Sequence, residues 1–125
     1  MHVTASGYHK RTNRCHVQNF SSNRKLIRVT ELDVALGTAT PSAEQLATQS
    51  DVYQMIFESY KENIPETQQS GITIWTLSDN PDEHQYWLKD QSPNLFDANY
   101  ARKHAYKGVC DGIAGKDISE GFTGT

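Results

Sequence analysis

The chain is poor in the residues that give quick assignments. Its two cysteines, Cys15 and Cys110, stand far apart, so neither a disulfide framework nor a C-x-x-C metal site is available. The five histidines include no H-x-x-x-H pair, and no metal site or cofactor is expected. Positive charge is not in excess: 12 Lys and Arg against 15 Asp and Glu exclude the basic footprint of nucleic-acid or anionic-membrane binding. Long hydrophobic runs are missing as well. No stretch is long enough to span a bilayer, and the N-terminus lacks the apolar core of a signal peptide.

What remains is a globular composition over 125 residues, the length of one ordinary domain. Two strand-like runs stand out. In "KLIRVTELDVAL", from Lys25 to Leu36, strict alternation puts Ile27, Val29, Glu31 and Asp33 on one face. Leu26, Arg28, Thr30, Leu32 and Val34 take the other. The second run, "GITIWTLSD" from Gly71 to Asp79, starts at a glycine and ends in polar residues. Both are apolar on two faces, as strands of a covered parallel sheet are.

A helix is expected between them. Ser42 and Gln45 have capping-box spacing, Val52, Tyr53, Ile56, Phe57 and Tyr60 recur at helical intervals, and Pro65 closes the segment. A last helix is expected from Asn99 to Ile113, with Ala101, Ala105, Tyr106 and Val109 as its apolar stripe. Residues 116–125 read as a polar tail. Strand, helix, strand, helix is the order of parallel α/β architecture. Two such strands need neighbours that the chain does not obviously supply.

In a parallel barrel, functional side chains gather at the C-terminal strand ends. Glu31 and Asp33 fall at the end of the first run, and Trp75 and Asp79 toward the end of the second. Taken alone, Glu31 is equally readable as a solvated strand-end carboxylate, and a residue like Trp75 is more often core than ligand platform. Trp87, in the polar loop "NPDEHQYW", suits stacking against a flat sugar face.

Three motifs in order sharpen this. "RVTELDVAL", "GITIWTLSD…YW" and "SPNLFDANYARKHAYKGV" together resemble the C-terminal part of the family 10 glycoside hydrolases, the endo-1,4-β-xylanases. The resemblance implies the end of strand six through helix eight of a (β/α)8 barrel, with residues 1–115 as the C-terminal portion of the catalytic domain. It implies a retaining hydrolase acting on internal bonds of xylan or xylo-oligosaccharides. On this likeness Glu31 matches the nucleophile, and Asp33 the carboxylate that orients a histidine beside it. That histidine is His2 in the opening "MHV". Trp75 and Trp87 match aromatics that frame the sugar, and family members are mostly exported.

Two departures accompany the likeness. The family usually has glycine after the strand-eight tryptophan, where this chain has Thr76, and the loop from Asp79 to Trp87 is longer than the common form. The W-D-x-x-N-E context of the family's acid/base glutamate does not occur in the sequence. Retaining hydrolysis needs two carboxyl groups about 5 Å apart, and a whole barrel needs about 250 residues. The chain is therefore expected to be a fragment that is inactive alone. The alternative is a non-catalytic α/β module that binds carbohydrate through Trp75, Tyr86 and Trp87.

Residues 8–25, "YHKRTNRCHVQNFSSNRK", carry no helical stripe where a helix should connect strands. One set of codons for them, read one base later, gives "ITKEQIDAMFKTLAATGK", with a cap, a stripe and a Gly–Lys stop. An out-of-frame stretch bounded by compensating one-base indels is expected there. A diverged polar helix or surface loop is the other reading.

Overall fold

In the computed structural model, the described residues are the backbone of 2–4 and residues 24–118. The out-of-frame expectation for residues 8–25 falls, apart from Arg24 and Lys25, outside them. Three parallel strands lie in the order β1 (His2–Thr4), β2 (Ile27–Ala35) and β3 (Gln69–Ile74). Helix α1 (Ala43–Asn63) connects β2 to β3, and α2 (His104–Ala114) follows a long ordered loop.

Helix α1 starts where its capping box lies. The Ser42 hydroxyl accepts from the Gln45 amide, and the Gln45 side chain accepts from the Ser42 amide, which satisfies two otherwise orphaned donors. The helix ends at Ile64, ahead of Pro65. Its buried face is Gln49, Val52, Tyr53, Ile56 and Tyr60, and it packs on Leu32 and Val34 of β2 and on Ala105 and Val109 of α2. Tyr60 joins three elements with one hydroxyl: it donates to the Ile27 carbonyl and accepts from the amides of Ser70 and Gly71. Both strand entrances are thereby fixed to the helix.

The strict alternation expected in β2 does not hold. Register shifts occur between Val29 and Leu32, where two residues of β2 face one of β3. An extra residue reverses the side-chain parity of everything before it. Val29 therefore packs with Leu32 and Val34 on the helix side, not with Glu31. Arg28 turns to the open face and donates to the Thr73 hydroxyl at 3.1 Å. Glu31 lies within the irregularity and is exposed, while Asp33 alternates with the helix-side Leu32 and Val34.

The second run is also shorter than expected, because β3 stops at Ile74 and Ser78 makes only an isolated bridge to Phe96. Helix α2 begins at His104, five residues after the expected start. Asp97 accounts for the delay: its carboxylate accepts from the amides of Asn99 and Ala101, and Tyr100 sits at φ 63°. That side-chain-closed turn competes with helix, so Ala101 lies outside the stripe.

The two helices meet closely at glycine. A Cβ on Gly108 would lie 2.2 Å from the Ser50 carbonyl oxygen, and one on Gly112 2.8 Å from that of Gln54. Backbone cannot give way as a flexible side chain can. Gly108→Ala is expected to force the helices apart and to lower unfolding free energy by about 1–3 kcal/mol, measured by urea denaturation. An unchanged midpoint would mean the helices are not packed at this distance.

Candidate active site

Glu31 lies at the middle of β2 and Asp33 in its last third, and Trp75 directly follows the end of β3. Trp75 donates its amide to the Leu32 carbonyl at 2.8 Å, which aligns the end of β3 with the Glu31–Asp33 segment. Glu31 is exposed on the open face, whereas Asp33 is 2% exposed. Trp75 and Trp87 are 45% and 48% exposed. Tyr86, at 96% exposure, is next to Trp87 in sequence but extends into solvent instead of packing on the site.

The parallel register sets His2 of β1 opposite Asp33 of β2. His2 is the first described residue of β1, with Val3 and Thr4 following it in the strand. The part assigned to its side chain lies outside the described residues. Asp33 also has a partner that the sequence did not disclose: the indole N–H of Trp87 donates to its carboxylate at 3.3 Å. The loop tryptophan is thus tied to the strand carboxylate as well as standing over it.

That tie depends on the loop from Thr76 to Asn94. Asn80 caps a short 3-10 turn, Pro81–Glu83, by accepting from the Asp82 amide, with proline at the first position. The turn brings Glu83 back to the end of β3. Its carboxylate accepts from the Thr76 hydroxyl at 3.0 Å, the Ser78 amide at 3.1 Å and the Ser78 hydroxyl at 2.7 Å. Partial desolvation raises the Glu83 pKa, but bonds from Ser78, Thr76 and Tyr100 outweigh it, and the net shift is downward. A carboxyl lowered by folding stabilises the loop above its unfolded pKa, and that contribution is lost as pH falls through the folded value.

His84, 2% exposed, follows Glu83 into the same cluster. Its Nδ1 lies 2.9 Å from the Trp87 carbonyl oxygen. Its Nε2 faces the Ser78 carbonyl at 2.7 Å, and the Asn94 amide group reaches the same carbonyl at 2.9 Å. Below this cluster Lys103 donates to Asp79 at 2.7 Å and to the Ser92 carbonyl at 2.9 Å. Burial raises the pKa of Asp79 and lowers that of Lys103, and their mutual attraction opposes both shifts. The signal missed in the sequence was "NPDEH": an Asx cap, a proline and two carboxylates mark a local turn. Its tertiary partners are not local and could not be read there.

A cavity of about 490 Å³ lies nearby, lined in part by Asp79, His84, Leu88, Ser92 and Lys103. It includes none of Glu31, Asp33, Trp75 or Trp87, so it is separate from the β2 carboxylates. Among the described residues no group of three or more His, Cys, Asp or Glu side chains could hold a metal ion.

Glu31 and Asp33 of β2, Trp75 just past β3 and Trp87 in the following loop belong to one part of a partial parallel α/β fold. The model for glycosyl hydrolase family 10 matches residues 1–112, and the chain belongs to that family. It is 36% identical over 93 residues to a bifunctional endo-1,4-β-xylanase of Ruminococcus flavefaciens, covering 74% of this chain and 8% of that one. It is 31% identical over 107 residues to endo-1,4-β-xylanase A of Cellvibrio japonicus, covering 72% and 17%. A solved mutant of xylanase A from P. fluorescens subsp. cellulosa, in complex with xylopentaose, superposes with a TM-score of 0.79 at 27% identity. That superposition covers 91% of this chain and 38% of the other. The fold is the C-terminal part of a (β/α)8 barrel. The helices of the described residues include none long and apolar enough to cross a membrane.

Proposed function

We propose that the chain carries the nucleophile side of a retaining endo-1,4-β-xylanase site, within a catalytic-domain portion spanning residues 1–115. Glu31 is the nucleophile, Asp33 with His2 orients it, and Trp75 and Trp87 bracket the xylosyl unit at the cleaved bond. Tyr86 extends the aromatic edge toward neighbouring sugars. The observation that carries this reading is exposed Glu31 and buried Asp33 two residues apart on β2, with the half-exposed Trp87 bonded to Asp33.

The chemistry follows from that placement. The Glu31 carboxylate attacks the anomeric carbon and forms a glycosyl-enzyme ester while the leaving sugar oxygen takes a proton from a carboxylic acid. Water then hydrolyses the ester with the same acid acting as base, and the configuration is retained. Stacking on indole faces holds the sugar in line without fixing its substituents. The acid must come from outside these residues, because the sequence has no W-D-x-x-N-E segment. The present chain alone is therefore expected to release no reducing sugar from xylan. Joined to the coding region upstream of residue 1, it is expected to do so. Hydrolysis by the chain alone would contradict the half-site. Xylo-oligosaccharide binding without hydrolysis in the joined form would favour the carbohydrate-binding module.

A further inference from the structure

The Thr76 hydroxyl is a junction between elements that are distant in sequence. It donates to Glu83 at 3.0 Å, accepts from the Asn94 side chain at 3.1 Å and lies 3.4 Å from His84 Nε2. Glu83 and His84 belong to the loop that runs from Thr76 to Asn94. We propose that Thr76, Glu83 and His84 are positioning residues that together set Trp87 against Asp33.

The geometry supplies a continuous connection. A carboxylate only accepts hydrogen bonds, and Thr76 and Ser78 both donate to Glu83. Glu83 thus anchors the 3-10 turn to the end of β3, one residue beyond Trp75. His84 is carried inward by that turn and holds Trp87 by its carbonyl at 2.9 Å. Trp87 is then held at both ends, by its backbone through His84 and by its indole through Asp33 at 3.3 Å. A loop tryptophan fixed in this way meets the sugar with its orientation already set, which removes the ordering cost from binding. The ligand class is that of the proposed function, on which this inference rests: a xylo-oligosaccharide stacked on Trp87.

The test uses the 125-residue chain labelled with ¹⁵N, whose two tryptophans give two indole N–H signals, assigned with Trp75→Phe. Thr76→Val and Glu83→Gln are expected to move the Trp87 indole signal and to speed its hydrogen exchange about tenfold. The Trp75 signal should stay in place, and the thermal midpoint should fall by no more than the loss of these local hydrogen bonds. Thr76→Ser, which keeps the hydroxyl, should restore the original Trp87 signal. An unmoved Trp87 signal in both disruptive variants would overturn the proposal. So would equal movement of both indoles with a lowered midpoint, which is what a merely structural role gives. Xylopentaose titration separates this from the functional reading. If Thr76→Val moves Trp87 while xylopentaose perturbs neither indole in the chain joined to its upstream region, the positioning stands and the xylanase reading fails. If xylopentaose binds the parent and both variants alike with Trp87 unmoved, the positioning fails and the xylanase reading stands.

Discussion

Glu31→Gln, in the chain joined to its upstream region, is expected to reduce xylan hydrolysis by on the order of 10⁴-fold or more. The amide is nearly isosteric, so the strand and its register with β3 should survive. What disappears is the negative charge that attacks the anomeric carbon and the ester that follows. Xylo-oligosaccharide affinity should change little, because Trp75 and Trp87 supply the stacking. A loss divided evenly between binding and turnover would point instead to a structural part for Glu31.

Lys103→Ala is expected to cost about 3–5 kcal/mol of folding stability, the range found when one partner of a buried ion pair is removed. The side chains of Lys103 and Asp79 are 4% and 10% exposed, so water cannot replace the missing ammonium. Asp79 also accepts from the Asn94 amide, and Lys103 also donates to the Ser92 carbonyl. The loss therefore spreads into the segment that carries His84 and Trp87. The pH dependence has a defined sign. Burial already raises the Asp79 pKa, and removal of Lys103 takes away its largest opposing influence. An acid whose folded pKa is raised destabilises the fold as pH rises from the unfolded value through the folded one. The variant's deficit in urea midpoint should therefore be largest near neutrality and shrink toward acid. Adding Asp79→Asn should recover part of it at pH 7. A deficit independent of pH would mean that packing, not charge, is what Lys103 supplies.

The parts of the molecule legible in the sequence are those set by local signals. The capping box at Ser42 and Gln45 and the stripe from Val52 to Tyr60 found α1, because cap and periodicity are both written in consecutive residues. Parallel α/β architecture followed from the order of elements. The errors arose where a tertiary contact outweighs a local pattern. Alternation in β2 fails at Val29 because pairing with β3 inserts an irregularity at Thr30 and Glu31. The start of α2 is delayed because the Asp97 side chain closes its own turn. At the site, the run that holds Glu31 and Asp33 was legible as one strand. Nothing local disclosed that Trp87 reaches Asp33, since 54 residues separate them.

The coincidence of bulge and carboxylates has a physical use. A strand with unbroken alternation would give Arg28 and Thr30 to the helix side and leave Ile27 and Val29 on the open face. The irregularity lets β2 bury Val29, Leu32 and Val34 against α1 while Asp33 remains opposite and Glu31 is exposed. The strand thereby contributes both to the core and to the site.

The central claim is that Glu31 forms the covalent link to the sugar. The most direct measurement is mechanism-based trapping with a 2-deoxy-2-fluoro xylobioside in the joined, active form, followed by peptide mass mapping. The account predicts one added glycosyl unit, located on the peptide that contains Glu31 and absent in Glu31→Gln. A label on any other residue, or full inactivation with no covalent label at all, would contradict it.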